Sequence, residues 1–503
     1  MSVLIILLLP VIATALVCLP FKKFWASGVT VVSSLAVLIL SARIAWLTSS
    51  GNSITSDLKI GALKWINVDG LSALILLLIA FIGVTAAIFS VGYMAHGNLT
   101  AGKLRLYYAN YNLFVFSMLA IPVLAEPTLV WIVVELTTLC SALLVSFENT
   151  REALEAAWKY VVLSLMGAGM ALFGFLVLFA AMQASGSKDA YTWNNLITAA
   201  PTMPPVLLET AFLLILIGLG TKVGLVPMHT WLPDAHSQAP SPVCGLLSGI
   251  ETSAILYVIL RLFPVMQASP NSHAETWAIV LGLISVGTAA FLLLQVRDYK
   301  RMFAFSTVEH MGIILTAVGL GASVAGYGAM MQIVSHAVTK SFCFFAAGAV
   351  LLTVGTRQIA SVRQLISRAP FASAALVFGG LAITGAPPLA VFLSEFSILK
   401  AGLTQKEYLA TALLAIFIVI AFFGIMLHVN KMVFGTDENE TAAADSQIAN
   451  RQSAIANSHL PFSCKLALII AAIPVFVFGF YIPQPLQDLL TQAAAALINH
   501  PSP

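Results

Sequence analysis

Charge is scarce in this sequence. Only 9% of the 503 residues are Asp, Glu, Lys or Arg, against about a quarter in an ordinary soluble domain. A soluble fold of this size needs far more polar surface to stay dissolved, so a cytosolic enzyme and a nucleic-acid binder are both excluded. The formal net charge of +3 is too small to point to a polyanionic partner. Paired cysteines are missing too. Cys18, Cys140, Cys244, Cys343 and Cys464 all lie within or beside apolar runs, and no two form a C-x-x-C pair. There is no ligand set for an iron–sulfur cluster or a structural zinc, and no disulfide framework is expected. The plainer reading is five small buried apolar residues. Residues 2–20 lack the basic lead-in and the A-x-A site of a cleaved signal, so they read as a retained first span.

Apolar residues are abundant: they make up 59% of the chain, with a mean hydropathy of +0.96. A transmembrane β-barrel would show alternating segments of about ten residues. Here the apolar runs are continuous over about 20 residues, the helix length that crosses ~30 Å of hydrocarbon. The expected fold is an all-α, polytopic integral membrane protein of about fourteen transmembrane helices. The spans are 2–20, 24–47, 69–94, 107–125, 128–147, 153–183, 207–227, 241–265, 276–295, 302–322, 326–354, 371–402, 408–430 and 461–482. Several exceed the bilayer, which predicts tilts or breaks. The longest polar stretch, 435–459, is acidic and then Ala/Ser/Asn-rich; a second polar loop, 185–206, holds Gly186, Pro201, Pro204 and Pro205. One set of alternate loops carries Lys22, Lys23, Lys103, Arg105, Arg151, Arg297, Lys300, Arg301, Arg357, Arg363, Arg368, Lys431 and Arg451; the other carries only Lys59, Lys64, Lys188 and Lys406. That bias places the first set at the cytoplasm and both termini outside.

Two spans are broken internally. In the seventh, Gly220-Thr221-Lys222-Val223-Gly224 runs into Pro227; in the twelfth, Gly385-Ala386-Pro387-Pro388 sits mid-span. Each Pro removes a donor and clashes with the preceding turn, and in lipid the freed carbonyls need protein or water. The broken spans lie five helices apart, each with an ionisable residue near the break, Lys222 and Glu395. This predicts two five-helix repeats, and an odd number of helices per repeat forces opposite topology, as in transporters. The expected organisation is helices one to three (1–106), a first repeat of helices four to eight (107–265), a second of helices nine to thirteen (276–434), a polar cytoplasmic loop (435–460), and helix fourteen with a tail (461–503).

The informative charges are those inside apolar runs, because each costs about 2.5–3.5 kcal/mol at a helix centre on insertion scales. They are Glu135, Lys159, Lys222, Glu251, Glu309, His310, His336, Lys340 and Glu395, all in the middle of the chain. Glu135 reads as a protonatable carboxylate paired with a lysine, against a static ion pair that only fixes packing. Lys222 reads as a reversible proton carrier, against a cap on the freed carbonyls of the break. His336 and Lys340 share a helical face with Gln332 one turn earlier, a polar stripe suited to relaying protons; the rival reading is hydrogen-bonded packing. Glu309 and His310 fall at the start of the tenth span and point in different directions. The role of Glu251 is open. His229, Asp234 and His236 follow the seventh-span break. Metal ligation is conceivable from their types, but a surface loop cluster that gates proton entry is the expected reading.

These residues carry a resemblance. Gly220–Pro242 (GTKVGLVPMHTWLPDAHSQAPSP) resembles the seventh-helix and loop signature of antiporter-like membrane subunits, the superfamily of respiratory complex I pumping subunits, Mrp cation/proton antiporters and group 4 hydrogenases. Trp131–Leu139, Arg297–Gly312 and Leu381–Phe396 support it. Ala153–Tyr160, Thr307–Ile313, Pro387–Phe396 and Tyr481–Leu486 are most similar to the component-F branch of hydrogenase-4 membrane subunits. Glu251 departs from the pattern, standing where an apolar residue is expected. The resemblance implies a proton path in which Glu135 is the fifth-helix glutamate, Lys222 the seventh-helix lysine, His336 and Lys340 the eleventh-helix relay, and Glu395 the twelfth-helix exit. Lys159, His229 and Glu309 join that path, with Glu251, Asp234 and His236 as possible additions. It implies no cofactor in this chain, with iron–sulfur clusters and a nickel–iron centre on partner subunits. The implied partners are other antiporter-like and small membrane subunits, soluble hydrogenase-like or redox subunits, and membrane lipids, in a bacterial or archaeal inner membrane. Two alternatives are an Mrp-type cation/proton antiporter subunit and a proton-channel subunit energising inorganic-carbon uptake; a scaffold without pumping is the plainest.

Overall fold

The computed structural model describes residues 2–20, 23–55, 59–60, 63–97, 99–270, 272–321, 323–435 and 460–497. The polar stretch 436–459 lies outside them. In lipid every backbone donor and acceptor must be met within the protein, which selects helices for continuous apolar runs. Among the described residues, ten helices are long and apolar enough to cross a membrane, and Ser2–Cys18, Pro370–Ile383 and Phe462–Val477 are shorter apolar helices. The chain is an all-α, multi-pass integral membrane protein.

The first half comprises α1 (Ser2–Cys18), α2 (Lys23–Thr48), α3 (Gly70–His96), α4 (Ala101–Ala120), α5 (Pro127–Val145), α6 (Arg151–Ala184), α7 (Trp193–Ala199), α8 (Pro205–Val223) and α9 (Trp231–Gln238). The helix α10 (Ser241–Leu246) passes through one π-helical turn, Leu247–Glu251, into α11 (Thr252–Leu260) and α12 (Phe263–Ala268). The second half comprises α13 (Ala274–Leu293), α14 (Tyr299–Gly319), α15 (Ser323–Val354), α16 (Leu365–Arg368), α17 (Pro370–Ile383), α18 (Ala390–Thr404), α19 (Tyr408–Phe434), α20 (Phe462–Val477) and α21 (Gln484–Ala495). Two small antiparallel ladders, Ile54–Thr55 with Asn67–Val68 and Lys59–Ile60 with Leu63–Lys64, occupy the loop before α3.

The hydropathy reading runs the last span to residue 482. The helix instead ends at Val477, and a separate amphipathic α21 follows. Only Leu489, Leu490, Ala493 and Ala494 of α21 are buried, so it lies against α3 and α15 rather than extending into lipid.

The two ends of the bundle are distinguishable by their contacts. At the ladder end, Ala125 N–H donates to Trp65 O, Trp193 N–H to Ala125 O, and Gly70 packs on Gln492. At the basic end, Tyr299 N–H donates to Arg357 O, Ile359 N–H to Arg297 O, and Gln364 N–H to Gly435 O. The enclosed helices are the central ones. Residues 241–260 are wholly buried within the bundle and most of 299–319 and 324–354 as well, whereas 408–434 is largely open to lipid. Close helix pairs rest on glycine. A Cβ on Gly167 of α6 would lie 2.5 Å from Gly218 O of α8, and one on Gly312 of α14 would lie 2.7 Å from Gly282 O of α13, the small-residue contact typical of membrane helices.

Arg261, at the end of α11, makes a bidentate pair with Asp69, the N-cap of α3, at 2.5 Å, and also donates to Ser72 Oγ (2.7 Å) and Tyr257 OH (3.0 Å). Removing one partner of such a pair leaves an uncompensated charge, at a cost of about 3–5 kcal/mol. Arg261→Ala is expected to lower the detergent-solubilised melting temperature clearly; an unchanged melt would show that the clamp is dispensable.

Candidate functional site

The ionisable residues gather in two clusters inside the enclosed helices. The first is built by α5, α6, α8 and the π turn. Lys222 is the second-last residue of α8, which stops at Gly224 with φ +88°. Its ammonium, 2% exposed, donates to Thr137 Oγ1 (2.6 Å) and to Val134 O of α5. The carboxylate within ion-pair reach is that of Glu251, at 3.9 Å. Glu251 also accepts from Tyr160 OH (3.3 Å), which bonds Ser141 Oγ at 2.7 Å. Lys222 thus reaches the backbone one residue before Glu135, but both Glu135 carboxylate oxygens are buried with no hydrogen-bond partner. The expected Glu135–Lys222 pair is, in this arrangement, a Glu251–Lys222 pair with Glu135 alongside. The reason is the π turn: one extra residue in the turn rotates the Glu251 side chain toward α8.

The second cluster is built by α14, α15, α17 and α18. Lys340 donates to Ser306 Oγ and to Phe303 O (3.1 Å). Gln332 Nε2 donates to His310 Nδ1 (2.8 Å), and His310 Nε2 donates to Ile383 O (3.0 Å), the last residue of α17 before its break. Ser394 Oγ donates to Gln332 Oε1 and sits 3.1 Å from Ser335 Oγ. The His310 and His336 ring centroids are 5.1 Å apart. Glu309 and His310 are mid-helix, not at a helix start, because Asp298 caps α14 and begins it at Tyr299. Glu395, in α18, is 6% exposed, and its carboxylate presses on Gly385 at the break.

The π turn joins the two clusters. Its Ser248 O accepts from His336 Nε2 (3.1 Å), and Ser248 Oγ lies 2.5 Å from Thr307 Oγ1, while Glu251, three residues on, holds Lys222. A π turn frees carbonyls from the helix ladder, and here His336 takes one up. His336 Nδ1 is buried without a partner, an open acceptor.

Other predicted residues lie elsewhere. Lys159 is about half exposed and pairs with Glu155 (2.7 Å) and Asp234 (3.3 Å), outside both buried clusters. Asp234 also pairs with Arg301. The segment after the seventh-span break is not a surface loop. It re-forms a helix, α9, whose Pro233 stands in the first turn where no N–H is needed. His236 is fully buried, donates through Nδ1 to Leu232 O (2.7 Å), and faces Phe344. His229 is half-buried in the break, with Nδ1 unpartnered. Among the described residues no group of three or more His, Cys, Asp or Glu side chains is placed to hold a metal ion. Lys300, counted among the loop charges, is buried and caps the end of α9 through Ser237 O (3.2 Å) and Ala239 O (2.5 Å). Sequence reasoning missed the hydroxyls Thr137, Ser141, Ser248, Ser306 and Ser394, which carry no signal in an apolar run.

Residues 125–424 match the family model described as NADH:quinone oxidoreductase/Mrp antiporter, TM, and residues 63–101 match NADH-Ubiquinone oxidoreductase (complex I), chain 5 N-terminus. The chain belongs to the NADH:quinone oxidoreductase/Mrp antiporter membrane family. It is 38% identical to the hydrogenase-4 component F homolog of Methylacidiphilum infernorum over 83% of this chain and 85% of that protein. It is 30% identical to hydrogenase-4 component B of Escherichia coli, over 66% of this chain and 50% of that protein. It is 28% identical to Na(+)/H(+) antiporter subunit A1 of Staphylococcus aureus, over 95% of this chain and 60% of that protein. The fold is shared with a chain of the membrane-bound sulfane sulfur reductase, an archaeal respiratory membrane complex (TM-score 0.85, 23% identity, 99% and 97% of the two chains). It is also shared with a chain of the Mrp complex from Dietzia sp. (TM-score 0.84, 19% identity, 99% and 97%). The chain is an antiporter-like membrane subunit of the hydrogenase-4, Mrp and complex I type, and such relatives are components of multisubunit membrane complexes.

Proposed function

We propose that this chain is the proton-translocating subunit of a hydrogenase-4-like oxidoreductase complex. The observation that carries the reading is the burial of Lys222, Glu251, His336, His310, Lys340, Glu309 and Glu395 inside the bundle, with the π turn touching both clusters. Charged groups at that depth are expensive, and a series of them, rather than a single pair, is what stepwise proton transfer requires. Protons enter from the cytoplasmic, basic end, pass from Lys222 and Glu251 to the His336–His310 pair, and leave through Glu395. Glu135 is a second carboxylate for the Lys222 ammonium when it swings from Glu251. Fourteen crossings, two inverted repeats (107–265 and 276–434), both termini outside, and an inner-membrane location complete the reading. Redox centres sit on partner subunits.

The test is gentle purification of the tagged chain with its partners, identification of those partners by mass spectrometry, and dye-quenching measurement of proton uptake. Inverted vesicles carrying the complex are energised in turn with hydrogen, formate and reduced ferredoxin. Redox partners and donor-driven acidification are expected. Transport that requires sodium, with antiporter subunits alone co-purifying, would replace this reading with cation/proton antiport, which the match to the antiporter subunit along 95% of this chain also suits.

A further inference from the structure

The two helix breaks are built alike. Gly224 and Gly385 both have positive φ, +88° and +69°. Leu225 N–H donates to Gly220 O (2.8 Å), and Ala386 N–H donates to Leu381 O (3.0 Å). Met228 N–H donates to Leu225 O (3.0 Å), and Leu389 N–H donates to Ala386 O (3.0 Å). A proline follows each glycine by three positions, Pro227 and Pro388. Every pair (224 and 385, 225 and 386, 228 and 389) is 161 positions apart. Carried ten residues past the glycine, the same spacing pairs Asp234 with Glu395.

The two units run in opposite directions. After its break, α9 heads to the basic end, where Ser237 Oγ donates to Asp298 Oδ2 (2.9 Å) and Arg357 Nη2 donates to Gln238 Oε1 (3.1 Å). After its break, α18 heads to the ladder end. Its Ser397 and Ile398 pack on Gly328 near the start of α15, two residues from Gly326, which faces Ala494 of α21. Asp234 and Glu395 are therefore corresponding carboxylates on the second half-helices of two oppositely directed units.

We infer that Asp234 is the proton-loading carboxylate at the basic-end mouth, the counterpart of Glu395 at the opposite mouth, and that Arg301 is its gate. This rests on the proposed proton-translocating function. The surroundings differ in the way an entry gate needs. Asp234 is held by Arg301 and by Lys159 (3.3 Å), cations on α14 and α6, while among the described residues no ion pair reaches Glu395. Loading a proton on Asp234 and releasing Arg301 are one event, because the neutral carboxyl has lost its attraction for the guanidinium. Arg301 has somewhere to go: it lines a cavity of about 540 Å³ with Gln295, Arg297, Asp298, Arg357 and Gln358. Since Asp234 lies on α9 and Arg301 on α14, the event also loosens the first unit from the second. No covalent step is involved; the proton comes from water at the mouth and is passed inward.

The test uses the intact complex in the same energised vesicles. Asp234→Asn is expected to cut proton uptake at least tenfold at wild-type complex abundance, and Asp234→Glu to restore most of it. An ion pair that merely clips α9 to α14 makes a different prediction, since deleting both partners would then leave transport intact. The double variant Asp234→Asn/Arg301→Gln leaves no stranded charge and is expected to assemble but remain defective. Wild-type uptake by the double variant, or by Asp234→Asn, overturns the inference. If Asp234→Asn fails to assemble, the double variant decides alone. A wild-type complex that moves no protons counts against the proposed function instead. Loss of uptake in Glu395→Gln with normal uptake in Asp234→Asn counts only against this inference.

Discussion

Lys222→Ala should abolish proton uptake in energised vesicles while the complex still assembles. The ammonium is the cation that serves the first cluster: it contacts Val134 O, Thr137 Oγ1 and the Glu251 carboxylate. Without it, Glu251 keeps only neutral hydroxyl partners, those of Tyr160 (3.3 Å) and Thr137, and Glu135 keeps two buried oxygens with no partner. Stranding a buried charge costs about 3–5 kcal/mol, but a carboxyl can take up a proton and become neutral instead. The fold is therefore expected to survive with a reduced melting temperature, and Lys222→Ala/Glu251→Gln, which strands one carboxylate fewer, to melt closer to wild type. Neither variant should transport. Uptake at the wild-type rate in Lys222→Ala would remove Lys222 from the path.

Gly385→Ala should reduce transport more than tenfold through a residue that titrates nowhere. Two effects meet at this position. The φ of +69° costs a residue with a Cβ roughly 1–2 kcal/mol. The added Cβ would also overlap the Glu395 carboxylate, which must move, and overpacking of this kind costs about 1–3 kcal/mol more. Gly186→Ala separates the two, since Gly186 has φ +79° but open space around its Cβ position; it should pay the backbone cost and keep full transport. On a Glu395→Gln background, Gly385→Ala should lose nothing further, because the two act through the same carboxylate. Additive losses would mean that the break, not the carboxylate, is what the methyl group disturbs.

Glu135, Lys222, Glu309, His336, Lys340 and Glu395 are all legible in the sequence, because a charge in an apolar run is costly enough to be conspicuous. The breaks were legible from Gly220–Pro227 and Gly385–Pro388. The choice between Glu135 and Glu251 as the partner of Lys222 was not. It turns on the rotation of one helix by a single π turn, and Leu247–Glu251 has no composition that announces such a turn. Lys159 and Lys300 depart from their hydropathy placement in opposite senses for one reason: hydropathy gives depth along a helix axis but not which side of the helix meets a neighbour. Lys159 points outward to Asp234, whereas Lys300, assigned to a loop, turns inward to cap α9.

Composition and run length alone dictate a multi-pass helical membrane protein, since uninterrupted apolar stretches in lipid can satisfy their backbones only as helices. The positions of the costly charges dictate where chemistry is concentrated. Pairing is different in kind. Which carboxylate meets Lys222, which carbonyl meets His336, and whether Asp234 faces water or Arg301 all depend on contacts between helices far apart in the chain. Angular differences of a fraction of a turn decide those contacts, and only packed neighbours set such angles.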